Sequence, residues 1–78
     1  MEFKFSEIQK KALSAIVAYC DYIDGWGFTT PSEAFIAVSE ELDNAEDILK
    51  QLDSMEAIEI DTFDDTLWVR PEVYDQFC

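Results

Sequence analysis

Three aspartates that fall close together, Asp61, Asp64 and Asp65, come nearest to a chemical site in this sequence. Carboxylate oxygens are good ligands for Ca²⁺, but a calcium-binding loop also needs ligands at alternating positions followed by a glycine. Neither that order of ligands nor a glycine occurs in this segment. The pattern therefore favours a solvated acidic turn over a weak cation site, and we predict no metal.

Side chains that serve as nucleophiles, general bases or zinc ligands are scarce in the rest of the chain. There is no histidine, the commonest general base and a frequent zinc ligand. Cys20 and Cys78 are too far apart in the sequence to indicate a zinc site or a disulfide framework. Acids are so numerous that no pair stands out for acid–base catalysis. We therefore expect a non-enzymatic protein with no catalytic residues and no cofactor.

The charge of the chain is its main anomaly. Eighteen Asp and Glu residues face five Lys and Arg residues, which gives a formal net charge of -13 over 78 residues. A net charge of about 2–8 in magnitude is ordinary for a small soluble domain. Because 49% of the residues are hydrophobic and 14% are aromatic, the chain is too apolar for a disordered acidic tail. We predict one folded acidic domain over residues 1–78.

Targeting signals are not evident. No stretch of about 18 apolar residues indicates a membrane span. The N-terminal segment MEFKFSEIQKK lacks the basic region, apolar run and cleavage site of a secretion signal. Two cysteines that form no disulfide framework fit a reducing compartment. We expect a cytoplasmic protein, in a bacterial host cell.

Capping residues and apolar spacing predict the first helix. Ser6 and Gln9 form a capping-box pattern at its start. The helix is predicted to run from Glu7 to Ile23 and to end before a turn in which two glycines bracket Trp26. Its apolar residues recur at spacings of three and four: Ile8, Ala12, Ala15, Ile16, Tyr19 and Ile23.

A stronger signal for the start of a helix follows in the sequence Thr30-Pro31-Ser32-Glu33. The threonine can cap, the proline suits the first helical position, and Glu33 completes a capping box. The second helix is predicted from Pro31 to Val38, and a tight connection over residues 39–42 comes after it. Its apolar contacts are predicted to come from Phe35, Ile36 and Val38.

The third helix is predicted from Asn44 to Met55, with Asp43 and Glu46 as a capping pair. Its apolar stripe contains Ala45, Ile48, Leu49, Leu52 and Met55.

Beyond this helix the spacing of apolar residues changes from helical to alternating, which predicts strands around Ile58–Ile60 and Leu67–Val69, joined as a β-hairpin. Pro71 ends the second strand. A last helical turn is predicted over residues 72–77.

Phe28 and Thr29 are predicted to form a very short strand before the second helix. The resulting order, helix, turn, short strand, two helices and β-hairpin, resembles the winged-helix superfamily. The segment Thr29-Thr30-Pro31-Ser32-Glu33-Ala34 is similar to the entry into the second helix of many winged-helix proteins. The segments Ile48–Leu52 and Met55–Ile60 resemble a third helix that runs into the first strand of the wing. The resemblance implies an α+β fold with three helices and a C-terminal β-hairpin wing.

A DNA-binding winged helix reads the major groove with its third helix, and basic residues contact the phosphates. Here the segment from Glu40 to Asp65 holds eleven acids and one base, Lys50. Carboxylates repel phosphates, so we predict that the chain does not bind nucleic acid directly. The predicted partner-binding residues are Glu40, Glu41, Asp43, Glu46, Asp47, Asp53, Asp61, Asp64 and Asp65, with the aromatic residues Phe63 and Trp26.

Three explanations of the acidity compete. In the first explanation the acidic surface mimics nucleic acid and occupies the basic surface of a protein. Small phage-encoded inhibitors such as anti-CRISPR and anti-restriction proteins act in this way, and the chain resembles them in class. Alternatively, it is a winged-helix interaction module whose anchors are Trp26, Phe63 and Trp68, although both tryptophans could instead complete the core. In the third explanation the charge serves solubility. Clustering of the acids favours the first explanation.

Overall fold

Residues 4–77 are described by a computed structural model, and they form an α+β protein with four helices and one four-stranded antiparallel sheet. The elements are α1 (Glu7–Ala18), β1 (Asp21–Ile23), β2 (Trp26–Thr29), α2 (Pro31–Glu41), α3 (Ala45–Ser54), β3 (Ile58–Asp61), β4 (Thr66–Val69) and α4 (Pro71–Phe77). The strands lie in the order β1-β2-β4-β3. In the described part of the chain, no helix has the length and apolar character needed to cross a bilayer.

The first helix begins as predicted and ends earlier than predicted. The Ser6 hydroxyl accepts from the Gln9 amide at 3.1 Å, and the Gln9 side chain accepts from the Ser6 amide at 3.0 Å, so the capping box is confirmed. The predicted end at Ile23 is wrong because Asp21–Ile23 forms strand β1. Asp24 (φ 50°) and Gly25 (φ 89°) make a two-residue turn, and both have the positive φ that this kind of hairpin requires.

The buried side of α1 is also rotated from the predicted stripe. Ala12 and Ile16 are fully buried, as predicted, and Leu13 is buried beside them. Ile8 and Tyr19 are exposed. The buried residues Ala12, Leu13, Ile16 and Val17 still recur at spacings of three and four, so α1 has one buried stripe, turned toward Leu13 and Val17.

Helix α2 is longer than predicted. Thr30 caps it by accepting from the Glu33 amide at 3.2 Å, as predicted, but the Glu33 carboxylate accepts from the buried Thr29 hydroxyl at 2.7 Å, so no reciprocal capping box forms. The predicted connection over residues 39–42 is wrong because the helix continues to Glu41. The chain then turns through residues 42–44.

The buried face of α2 consists of small residues. Ala34 and Ala37 are buried together with Val38, whereas Phe35 and Ile36, which were predicted to supply apolar contacts, are 45% and 54% exposed. Alanine lets two helix backbones approach closely, and the opposite side of the helix is left to the larger side chains. The prediction for Phe35 and Ile36 is therefore wrong.

Helix α3 carries the predicted stripe but not the predicted cap. Its buried residues are Ala45, Ile48, Leu49 and Leu52, and Met55 is half-buried. The proposed capping pair of Asp43 and Glu46 is wrong: the N-cap residue is Asn44, which lies at φ 61° and makes no side-chain cap hydrogen bond. The helix ends in a Schellman arrangement, in which the Ala57 amide donates to the Leu52 carbonyl at 3.0 Å.

The C-terminal hairpin is confirmed, and it pairs with β2 through β4. Val69 lies opposite Ile58 on one side and opposite Gly27 on the other. Leu67, Val69 and Ile58 are fully buried against the helices. The intervening side chains, which include Trp68, point to the other face of the sheet because side chains alternate along a strand.

The predicted last helical turn is the helix α4, which covers the end of the sheet. Val73 and Tyr74 are buried, and the Tyr74 ring lies directly on Gly27. A Cβ atom at position 27 would be 2.5 Å from Cδ2 of Tyr74 and 3.3 Å from Cβ of Cys20. Only glycine therefore allows this approach of ring and strand.

Replacement of Gly27 by alanine is expected to destabilise the fold by about 1–3 kcal/mol, the usual cost of overpacking a buried site. The measurement is the free energy of unfolding from urea titration. In a Tyr74→Ala background, where the ring is missing, the same Gly27→Ala change should cost much less. Equal costs in the two backgrounds would show that the Tyr74 ring is not the obstacle.

Replacement of Glu56 by glycine is expected to stabilise the fold by about 1 kcal/mol. Glu56 follows α3 at φ 63°, a conformation that disfavours residues with a Cβ and that glycine adopts freely. Glu56→Ala is the matched control because it removes the same charge and keeps the Cβ. If the alanine variant gained as much stability as the glycine variant, charge and not backbone conformation would be the cause.

Candidate partner-binding surfaces

The acidic side chains are at the surface and largely without basic partners. Every Asp and Glu of residues 4–77 is exposed. Three ion pairs form within these residues, Lys10–Glu7 at 3.6 Å, Lys50–Glu46 at 3.5 Å and Arg70–Glu59 at 4.0 Å. Such exposed pairs contribute little to stability. Most of the negative charge of the folded chain is therefore available to a partner.

The two acids at the end of α2 face α1. The carboxylate of Glu40 accepts a hydrogen bond from the Tyr19 hydroxyl at 3.1 Å. Glu41 lines a shallow depression together with Lys11 and Ala15 of α1. The structure thus places these two predicted residues on the side of α2 that packs against the first helix.

Three other predicted acids meet where α2 leads into α3. Asp43, Glu46 and Asp47 line one depression at the start of α3, with Phe35 at its α2 edge. Glu46 and Asp47 belong to the first turn of the helix, where its dipole favours negative charge. Asp53 is exposed at the other end of α3 and lines none of these depressions. We call Asp43, Glu46 and Asp47 the α3 acidic cluster.

The predicted hairpin residues occupy one turn, and two of its acids, Asp61 and Asp65, have local structural roles. The Asp61 carboxylate accepts from the amides of Phe63 at 2.9 Å and Asp64 at 3.2 Å, which is an Asx-type turn. Asp65 lies at φ 55°, a conformation that aspartate tolerates better than most residues. Phe63 is 95% exposed at the tip. Among residues 4–77, no group of three carboxylate or cysteine side chains is placed to hold a metal ion.

Trp26 lies away from both acidic regions, on the outer face of the sheet. Its ring is perpendicular to that of Trp68 with 6.2 Å between centroids, and the centroid of the Phe28 ring lies 4.7 Å from that of Trp68. These three aromatic residues are half-buried and are separate from the main core cluster. Sequence analysis missed Phe28, although alternation along β2 places it on the same face as Trp26.

Two proton-bearing side chains near the end of α1 hold their protons firmly. The Cys20 thiol donates to the Ile16 carbonyl at 3.3 Å, and burial, helped by the negative charges of Asp21 and Glu33, raises its pKa to about 11. The pKa of Tyr19 is also raised, chiefly because its hydroxyl donates to Glu40. Neither group is activated as a nucleophile at neutral pH.

Comparison with protein-family models, with curated proteins and with solved structures gives no match for this chain. The geometry described above is therefore the basis for the function proposed below.

Cys20 is expected to resist alkylation in the folded protein. In a Cys78→Ser variant it is the one remaining thiol, and its raised pKa lowers the reactive thiolate fraction by roughly 100-fold at pH 8. The rate of iodoacetamide labelling is measured with and without urea. Labelling of the native chain should accelerate only as the pH rises toward about 11. Equal rates for folded and unfolded chains at pH 8 would contradict the buried environment.

Proposed function

We propose that this chain is a non-enzymatic domain that binds the basic surface of another protein through its carboxylates. In this proposal it mimics nucleic acid and inhibits a nucleic-acid-binding machine of a bacterial host cell, such as a CRISPR effector or a restriction enzyme. The observation that carries the proposal is that all acids of residues 4–77 are exposed while three of them lie within 4.0 Å of a base.

Folding does not account for the positions of two acids. Glu41 falls in the last turn of α2, Asp53 falls in the last turn of α3, and neither turn contains a basic residue. The helix dipole opposes negative charge at a C-terminus by about 0.3–1 kcal/mol per group. These acids therefore lower the stability of the helices that carry them, which supports a role outside the fold.

The winged-helix arrangement is part of the same proposal. Elements α1, β2, α2, α3 and the β3–β4 hairpin follow one another in the order expected for that superfamily, with β1 and α4 as additions. In a winged helix the third helix and the hairpin face the DNA. Here the corresponding elements carry the α3 acidic cluster and the turn acids Asp61, Asp64 and Asp65. Phosphate-like charges thus stand where phosphate-binding residues would be required.

Binding of this kind depends on long-range attraction. A field from many carboxylates attracts a cationic surface over a distance of about one Debye length, roughly 10 Å at 0.1 M salt. It therefore raises the association rate and makes affinity sensitive to salt. The same field repels nucleic acid, so the chain competes with DNA or RNA for a partner without binding either.

A second candidate function is an interaction module that uses apolar anchors. The observation that favours it is the 95% exposure of Phe63 at the tip of the hairpin, together with exposed Phe35 and Ile36 on α2. Aromatic side chains often supply much of the binding energy of an interface. In this candidate the acids set orientation and solubility, and the phenylalanines provide affinity.

The α3 acidic cluster is expected to be required for capture of a basic partner from host lysate. Immobilised chain should retain a protein that elutes between about 50 and 200 mM salt and that duplex DNA displaces. The triple variant Asp43→Asn/Glu46→Gln/Asp47→Asn should retain at least tenfold less. The matched control Glu7→Gln/Glu72→Gln/Asp75→Asn loses the same charge on α1 and α4 and should retain the partner.

Different outcomes separate the candidates. If both triple variants lost the same amount of retained partner, only net charge and not the α3 acidic cluster would matter. If duplex DNA failed to displace the partner, the proposal that the chain mimics nucleic acid would be overturned. If Phe63→Ala abolished capture while the triple variant did not, the interaction module would be the correct function. A gel-shift assay in which the chain itself retards DNA would contradict both.

A further inference from the structure

A line of four side chains crosses the outer face of the sheet with a carboxylate at each end. The strand registers place Asp21 opposite Phe28, Phe28 opposite Trp68, and Trp68 opposite Glu59. Phe28 and Trp68 are in contact at 4.7 Å between ring centroids. We call these four residues, one from each strand, the aromatic row. It has two aromatic side chains in the middle and one carboxylate at each end.

Ile23 and Trp26 lie beside the aromatic row and extend its apolar surface. Ile23 lies opposite Trp26 at the end of the β1–β2 hairpin and is 42% exposed. Trp26 meets Trp68 edge to face, with an interplanar angle of 90°. Together with Asp24 and Glu59, these residues line a shallow depression. Two indole rings and two carboxylates thus line the same depression.

The described helices leave this face open. Leu67 and Val69 on the inner side of β4 are fully buried, whereas Trp68 between them retains exposed surface and packs on aromatic neighbours of the sheet itself. A surface that combines indole faces with adjacent carboxylates is suited to a guanidinium group. The indole attracts the cation through its negative π-face, and a carboxylate accepts two parallel hydrogen bonds from it.

We infer that the outer sheet face binds an arginine-bearing segment of a basic polypeptide, with the guanidinium stacked on Trp26 or Trp68 and hydrogen-bonded to Glu59 or Asp24. The chain contains a partial internal example, since the guanidinium of its own Arg70 lies on this face 4.0 Å from Glu59. Arginine fits better than lysine because its planar group stacks on a ring while it pairs with a carboxylate.

Negative charge disfavours the other possible occupants of this sheet face. A second copy of the chain would bring a net charge of -13 against the same charge, and its carboxylates would face those of the first copy. Nucleic acids and anionic membranes are repelled for the same reason. A cationic polypeptide is the occupant that both the rings and the carboxylates attract.

The inference rests on the proposed function in one respect, that the partner is basic, and it assigns a surface distinct from the α3 acidic cluster. Tryptophan fluorescence reports on this surface alone, because Trp26 and Trp68 are the two tryptophans of the chain. The probe is a synthetic peptide of alternating arginine and glycine, about ten residues long. Peptides with lysine or glutamine in place of arginine are the controls.

The arginine peptide is expected to change the tryptophan emission saturably, with affinity about fivefold higher than that of the lysine peptide. The double variant Asp24→Asn/Glu59→Gln should weaken binding about tenfold, and asparagine keeps the backbone conformation of position 24 accessible. The control double variant Glu46→Gln/Asp47→Asn removes the same charge from the α3 acidic cluster and should weaken binding of the arginine peptide less than twofold. Circular dichroism confirms that each variant is folded.

Three results would overturn the inference: no change in emission with the arginine peptide, equal affinity for the arginine and lysine peptides, or equal weakening by the two double variants. None of them depends on the lysate experiment. The sheet face can therefore fail while capture through the α3 acidic cluster succeeds, and the reverse outcome is equally distinguishable.

Discussion

The antiparallel pairing of β2 with β4 is the contact on which the rest of this structure depends. It joins Gly27 to Val69 and Phe28 to Trp68, and so ties the first part of the chain to the last strand. Because side chains alternate along a strand, one register fills the core with Val69 and directs Trp68 outward. A shift by one residue would exchange the two sets. The buried core and the exposed aromatic row are thus consequences of the same pairing.

Local signals in the sequence predicted those elements whose pattern is local. The Ser6 cap, the α3 stripe and the C-terminal hairpin follow from short-range periodicity and capping chemistry. The early end of α1 is also readable in the sequence, since Asp24-Gly25 is a strong hairpin signal, but the helical spacing that continues to Ile23 predicts a longer helix. The contact between Phe28 and Trp68 was beyond such patterns because it requires two strands far apart in the chain to pair.

The acids of residues 4–77 differ in how far the fold accounts for their positions. Glu33, Glu40 and Asp61 accept hydrogen bonds from Thr29, from Tyr19 and from the hairpin amides. These three are explained at least in part by folding. Among the acids predicted to bind a partner, four have no side-chain hydrogen bond or ion pair within the described residues and do not lie in the first turn of a helix: Glu41, Asp43, Asp53 and Asp64. These four support the argument for a partner, because neither turn chemistry, nor pairing, nor the helix dipole accounts for them.

Stability and binding make opposite demands on a chain of this size. A small domain buries a limited fraction of its surface, and its folded state is favoured by only a few kcal/mol. Acids at helix C-termini reduce that margin, and aromatic rings left partly in water add less to it than buried rings would. Both are present here, on different faces. A cationic, arginine-bearing surface would relieve both, since it neutralises the carboxylates and removes the rings from water. The two features are therefore both consistent with the proposed basic partner.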